Sequence, residues 1–162
     1  MKLYREMLTI GLLAAVFSMS GCVVVEPAYV VNRDGHYFAG VRVNASLSEI
    51  GVFLEYPRDE TSGVIDFSAA VWHAVSDPPV VKEFELFATD QPGVKVVSDS
   101  GVRPYSQDIY IFMIDSTGGV CRVSTITILD DIRSGRTNYG DKTWDEYMKQ
   151  SDRLFATGCL KG

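Results

Sequence analysis

The sequence predicts a mainly β protein, an antiparallel β-sandwich-like domain closed by one C-terminal amphipathic α-helix. Three observations carry this. From His36 onward, short apolar runs alternate with a period of two, the signature of half-buried strands. Gly, Pro, Asp and Ser clusters punctuate those runs at turn spacing. The period changes to a helical one near the end of the chain, at Thr143. The regular spacing of strands and turns favours a sandwich over a barrel.

The elements follow in order. Residues 36–43 place Tyr37, Ala39, Val41 and Val43 on one face, and residues 47–56 keep Ile50, Val52, Leu54 and Tyr56 in phase. Turn chemistry fills residues 58–63. Residues 64–75 read as the clearest strand, with Ile65, Phe67, Ala69, Val71, His73 and Val75 on the apolar face. Asp77-Pro78-Pro79 ends it, because proline cannot donate to a strand ladder. A strand over residues 80–88 is followed by the turn Asp90-Gln91-Pro92-Gly93, with Pro early and Gly late. A short strand at 94–98 leads into a loop, residues 99–107. Residues 108–115 (DIYIFMID) are apolar on both faces, as expected of a strand covered on both sides. After the turn at 116–119, residues 120–130 read as one long strand. Ser134-Gly135 predicts a hairpin turn before a weak last strand at 136–139.

Thr143-Trp144-Asp145-Glu146 matches a capping box, in which the Thr hydroxyl and the Glu carboxylate each satisfy backbone N–H groups at a helix start. Trp144, Tyr147, Met148, Leu154 and Phe155 then share one helical face, and Gly158 suits the terminating position. Cys121 and Cys159 are expected to form a disulfide, closing a loop of about 38 residues and contributing about 4 kcal/mol.

The first residues belong to no fold element. Lys2 and Arg5 give a positive start, residues 8–17 (LTIGLLAAVF) are apolar, and Ser18 to Gly21 are small or slender. The apolar run is too short to span a bilayer, which takes about 20 residues, so it reads as a secretory leader. Met19-Ser20-Gly21-Cys22 resembles the lipobox of bacterial lipoproteins, with Met19 standing where Leu is usual. That resemblance implies cleavage before Cys22, a diacylglycerol on the Cys22 sulfur and acylation of the new amino terminus. Two or three chains anchor stably where one binds reversibly. In the same class an Asp after the Cys favours inner-membrane retention. Val23 stands there instead, which implies the outer membrane, facing the periplasm. The expected organisation is a leader at 1–21, the lipidated Cys22 and a short tether at 22–34, and one domain at 35–162.

The chain of 162 residues carries a net charge of −6; losing the leader removes Lys2, Arg5 and Glu6 and takes this to −7. Such acidity repels phosphate backbones, so no nucleic-acid partner is expected. No Gly-x-Ser-x-Gly, His-Glu-x-x-His, Cys-x-x-Cys or Gly-rich phosphate loop occurs. The two histidines, His36 and His73, are too few for a zinc site, and Asp130-Asp131 reads as a solvated strand end. No cofactor and no metal ligand is expected.

Four residues are candidates for partner contact: Arg103 and Tyr105 on a Pro-stiffened loop, and Arg133 and Arg136 on the predicted hairpin tip. Arg and Tyr are enriched at interface hot spots. The address and the missing chemistry together point to a lipid-anchored envelope protein that binds another envelope or secreted protein. Secretion-system accessory lipoproteins, pilotins and periplasmic inhibitors or immunity proteins share that general plan. The alternatives are a periplasmic hydrolase built around His73 and a carrier of a small apolar ligand.

Overall fold

Asp34 and Gly35 both take left-handed backbone, with φ of 55° and 89°, as the centre of a two-residue hairpin requires. They join β1 (Ala28–Arg33) to β2 (His36–Val41), with Ala28 opposite Val41 and Arg33 opposite His36. The computed structural model of the chain describes residues 28–41, 46–57, 65–79, 81–123, 127–139, 142–143, 145–146 and 149. Cys22, Cys159 and the leader lie outside these residues. The remaining strands are β3 (Leu47–Phe53), β4 (Trp72–Ser76), β5 (Glu83–Glu85), β6 (Val94–Asp99), β7 (Tyr110–Asp115) and β8 (Val120–Arg122). They form two antiparallel sheets, one of order β1-β2-β5 and one of order β6-β4-β3-β7-β8.

Alternation along each strand turns one row of apolar side chains inward from both sheets. Val30, Ala39, Val41 and Phe84 of the small sheet meet Ile50, Val52, Trp72, Ala74, Ile111 and Met113 of the large one in a single cluster. Each large side chain so buried contributes about 1.5–3 kcal/mol. The sandwich expected from the sequence is therefore present. β7 is covered on both sides: Ile111 and Met113 face this core, and Phe112 packs edge-on against Phe53 on the outer face, at 5.9 Å. The turn before β6 also forms as expected, with Gly93 at φ 75° and the Val94 N–H donating to the Gln91 carbonyl at 3.0 Å.

Several expectations need correction. The expected tether, residues 22–34, ends in β1, whose Ala28, Tyr29, Val30 and Val31 are buried, so the domain includes Ala28 and does not start at 35. Residues 64–75 are not one strand. Asp66 accepts a hydrogen bond from the Ser68 N–H at 2.9 Å and caps a 3-10 turn, Phe67–Ala69, so β4 starts at Trp72. The buried face is also inverted: Trp72 and Ala74 point into the core, and His73 lies on the outer face. Burying the large indole outweighs burying His73 and Val75, and a one-residue change of phase moves every side chain across.

The strand expected at 80–88 shortens to β5. The one expected at 120–130 shortens to β8, with a second 3-10 turn at Leu129–Asp131 that takes in Asp130 and Asp131. Of residues 136–139, Arg136 and Thr137 form isolated bridges rather than a strand. Of the expected C-terminal helix, Asp145, Glu146 and Lys149 are helical. The rest of that helix lies outside the described residues, and no helix of seven or more residues occurs among those described. Its capping box is formed: the Thr143 N–H and hydroxyl both donate to the Glu146 carboxylate, at 2.8 and 2.9 Å, and the Glu146 N–H donates back to the Thr143 hydroxyl. Cys121 is disulfide-bonded, with its partner outside the described residues. Among the described residues no helix is long and apolar enough to cross a membrane.

Candidate functional site

A sheet edge exposes unpaired N–H and C=O groups that accept another strand unless something covers them. The outer side of β1 is covered by the chain after Ile132. The Gly135 N–H donates to the Asn32 carbonyl at 2.7 Å, the Asn32 N–H to the Arg136 carbonyl at 3.1 Å, and the Asn138 N–H to the Val30 carbonyl at 3.0 Å. The Asn138 side chain completes the row by accepting from the Val30 N–H at 2.7 Å. The outer side of β5 is closed by one side chain. The Gln91 amide accepts from the Glu85 N–H and donates to the Glu83 carbonyl, both at 2.9 Å, as a neighbouring peptide unit would. β8 spans only three residues.

β6 differs from all three. It is six residues long, ends the large sheet, and pairs only with β4 among the described residues. Ser98 lies opposite His73 and Val96 opposite Ala74, which leaves Val97 as the extra residue of a bulge. Val97 is consequently 52% exposed, and Val102, just beyond the strand, is 40% exposed. Val94 and Val96 turn the other way and pack on the core, which fixes the edge in place.

The loop after β6 holds two of the four candidate contact residues. Arg103 closes a two-pronged ion pair on Asp99, at 2.8 and 2.7 Å, and its guanidinium lies 5.1 Å from the centroid of the Phe87 ring. Hydrogen bonding to Arg103, with the Gly101 N–H in support, holds the Asp99 carboxyl below its ordinary range. Tyr105 packs down on Tyr37 and Phe87, at 5.7 and 5.8 Å between ring centroids. Burial, then Asp130, pushes the Tyr37 phenol up. The structure thus brings Arg103 and Tyr105 together beneath the end of β6.

Arg133 and Arg136 lie elsewhere. Their turn closes with the Arg136 N–H donating to the Arg133 carbonyl at 2.9 Å, and Ser134 bonds Asp34 of the first hairpin. The Arg136 guanidinium sits 3.8 Å from Glu146. This tip docks on the β1–β2 turn instead of standing alone.

His73, the residue named for the hydrolase alternative, has its Nε2 2.7 Å from the Glu49 carboxylate and its ring stacked 4.9 Å from that of Phe67. Gly51 makes room for that stack: a Cβ there would lie 2.6 Å from Phe67. His36 pairs with Glu85 on the outer face of the small sheet. Among the described residues no group of three or more His, Cys, Asp or Glu could hold a metal ion.

Sequence reasoning found β6 as a strand but missed its position at an edge. Edge status depends on the order of strands in space, which no local pattern encodes. Comparisons with protein-family models, with curated proteins and with solved structures find no match to this chain.

Proposed function

We propose that this is a lipid-anchored protein of the bacterial cell envelope that binds another envelope or secreted protein and performs no chemistry of its own. The leader and the lipobox-like Met19-Ser20-Gly21-Cys22 support the address, with Val23 favouring the outer membrane. The observation that carries the binding role is the contrast among edges: β1 and β5 are capped, whereas among the described residues β6 has no neighbour on its outer side and Val97 stands beside it. An extended segment of a partner adding to β6 gains main-chain hydrogen bonds, while Val97 and Val102 offer apolar contact. Lys95 and the bulge at Val97 are devices that discourage indiscriminate edge pairing, so the edge suits a partner of matching shape. A secretion-machine accessory, a pilotin and a toxin inhibitor all fit this description.

The test is in-cell crosslinking from a photoreactive amino acid at Val97 of the full-length chain, with adducts identified by mass spectrometry. The same residue at Asp34, by the docked β1–β2 turn, is the control. One stoichiometric partner from Val97 and none from Asp34 is expected. Equal labelling from both sites, or no specific adduct from Val97, rejects the role assigned to this edge.

A further inference from the structure

Trp72 is completely buried, yet among the described residues its indole N–H has no hydrogen-bond partner. Native cores leave few such donors, because an unpaired buried N–H forfeits the bond it made with water. The Trp72 ring meets Phe87 at 5.9 Å. Phe87 carries a second anomaly, a backbone φ of 63°. Asp34, also left-handed, sits in a hairpin turn where Asp is tolerated. A bulky aromatic residue in that region is strained, and such strain concentrates at ligand clamps and switch segments. Phe87 is the third residue of the turn Glu85–Ala88, which the Ala88 N–H closes on the Glu85 carbonyl at 3.4 Å. That is the turn position where a positive φ calls for Gly or Asn.

The Phe87 ring fills the space between Trp72 and Tyr105, touching both, and Arg103 caps it while clasped to Asp99. Phe87 therefore lies in strained backbone between Tyr105 and a buried tryptophan whose donor is unsatisfied among the described residues. We propose that the space Phe87 fills is a binding site for a small flat aromatic molecule bearing a carbonyl or ether oxygen, onto which the Trp72 indole N–H opens and which the protein's own Phe87 occupies in the closed state. When Phe87 swings out, its turn relaxes. The incoming ring takes the place of the Phe87 ring between Trp72 and Tyr105, tilted to one and edge-on to the other, and its oxygen accepts from the Trp72 indole N–H. Both gains exist only in the open state, so the ligand has the differential affinity that a population shift needs. Asp99, the last residue of β6, reaches this site through Arg103, yet binding of an aromatic molecule in place of Phe87 requires no partner strand on the edge of β6.

The experiment follows the indole N–H resonances of the full-length, 15N-labelled chain. Trp72 and Trp144 are the two tryptophans, and Trp144→Phe assigns the signals. Acetophenone supplies a ring with an acceptor; acetone supplies the acceptor alone. The expected result is a saturable downfield shift of the Trp72 indole proton with acetophenone and none with acetone. Phe87→Gly removes the ring and suits φ 63°, so it is expected to tighten binding about tenfold by raising the competent fraction. Should Phe87→Gly not fold, Arg103→Ala opens the clasp from the surface and is expected to tighten binding in the same direction. No saturable shift in the wild type or in whichever variant folds overturns the site. So does a bound water giving a cross-peak to the Trp72 indole in the free protein, because the donor is then already satisfied.

Discussion

Gly51 shows how one missing side chain organises the outer face of the large sheet. Phe67 lies over it, stacked on His73, and an added Cβ would lie 2.6 and 2.7 Å from Phe67 and Phe53. Gly51→Ala is therefore expected to destabilise the fold by about 1–3 kcal/mol, read by urea denaturation, since the rings can move only by giving up their packing. The Asp99–Arg103 pair adds a pH dependence whose sign is fixed. Arg103 holds the Asp99 carboxyl below its ordinary value, so the pair contributes fully above the unfolded value, about pH 4. It fades as pH falls through the lower folded value, where Asp99 takes up a proton. Both groups are partly exposed, so the coupling is expected to stay under about 1 kcal/mol. A double-mutant cycle with Asp99→Asn and Arg103→Ala should show coupling at neutral pH and none well below pH 4. A coupling that survives acidification would mean the ion pair is not its source.

At the scale of elements, the signals that were readable were local ones. The Gln91-Pro92-Gly93 turn, the two-sided apolar character of β7 and the reciprocal bonds of Thr143 and Glu146 all formed as their residues predict. Asp34-Gly35 between two alternating runs is also a strong hairpin signal. Reading residues 22–34 as a tether after the lipobox-like segment hides that signal. Residues 64–75 failed for a different reason. Both of their faces carry apolar side chains, so alternation alone cannot choose between them, and the Asp66 cap competes with extended backbone. None of this reveals which strand ends a sheet, so Arg103 and Tyr105 were legible as loop residues while the β6 edge beside them was not. The capping box also sets a stability expectation. Thr143→Ala should lower stability by about 1 kcal/mol, and Thr143→Ser should restore most of it, as measured by thermal unfolding. Equal losses in both variants would show that the methyl group matters and the hydroxyl does not.

For the whole molecule, the proposed anchor and the disulfide constrain each other. The chain has three cysteines, and Cys121, on β8 and packed in the core, is disulfide-bonded. A sulfur that carries diacylglycerol cannot also join a disulfide. Lipidation at Cys22 therefore requires that Cys121 pair with Cys159, and a Cys121–Cys22 bond would exclude the anchor. One substitution tests both. In Cys22→Ser the exported protein is expected to leave the membrane fraction or remain uncleaved, while alkylation under denaturing, non-reducing conditions finds no free thiol. Cys121→Ser and Cys159→Ser should then cost the same, about 4 kcal/mol less any strain, because each opens the same loop. A free thiol appearing at Cys121 in Cys22→Ser, with membrane fractionation unchanged, would reject the lipid anchor and the pairing together. It would also move the constraint to the start of the domain, tying the segment before β1 to β8 instead of securing the chain that follows Thr143.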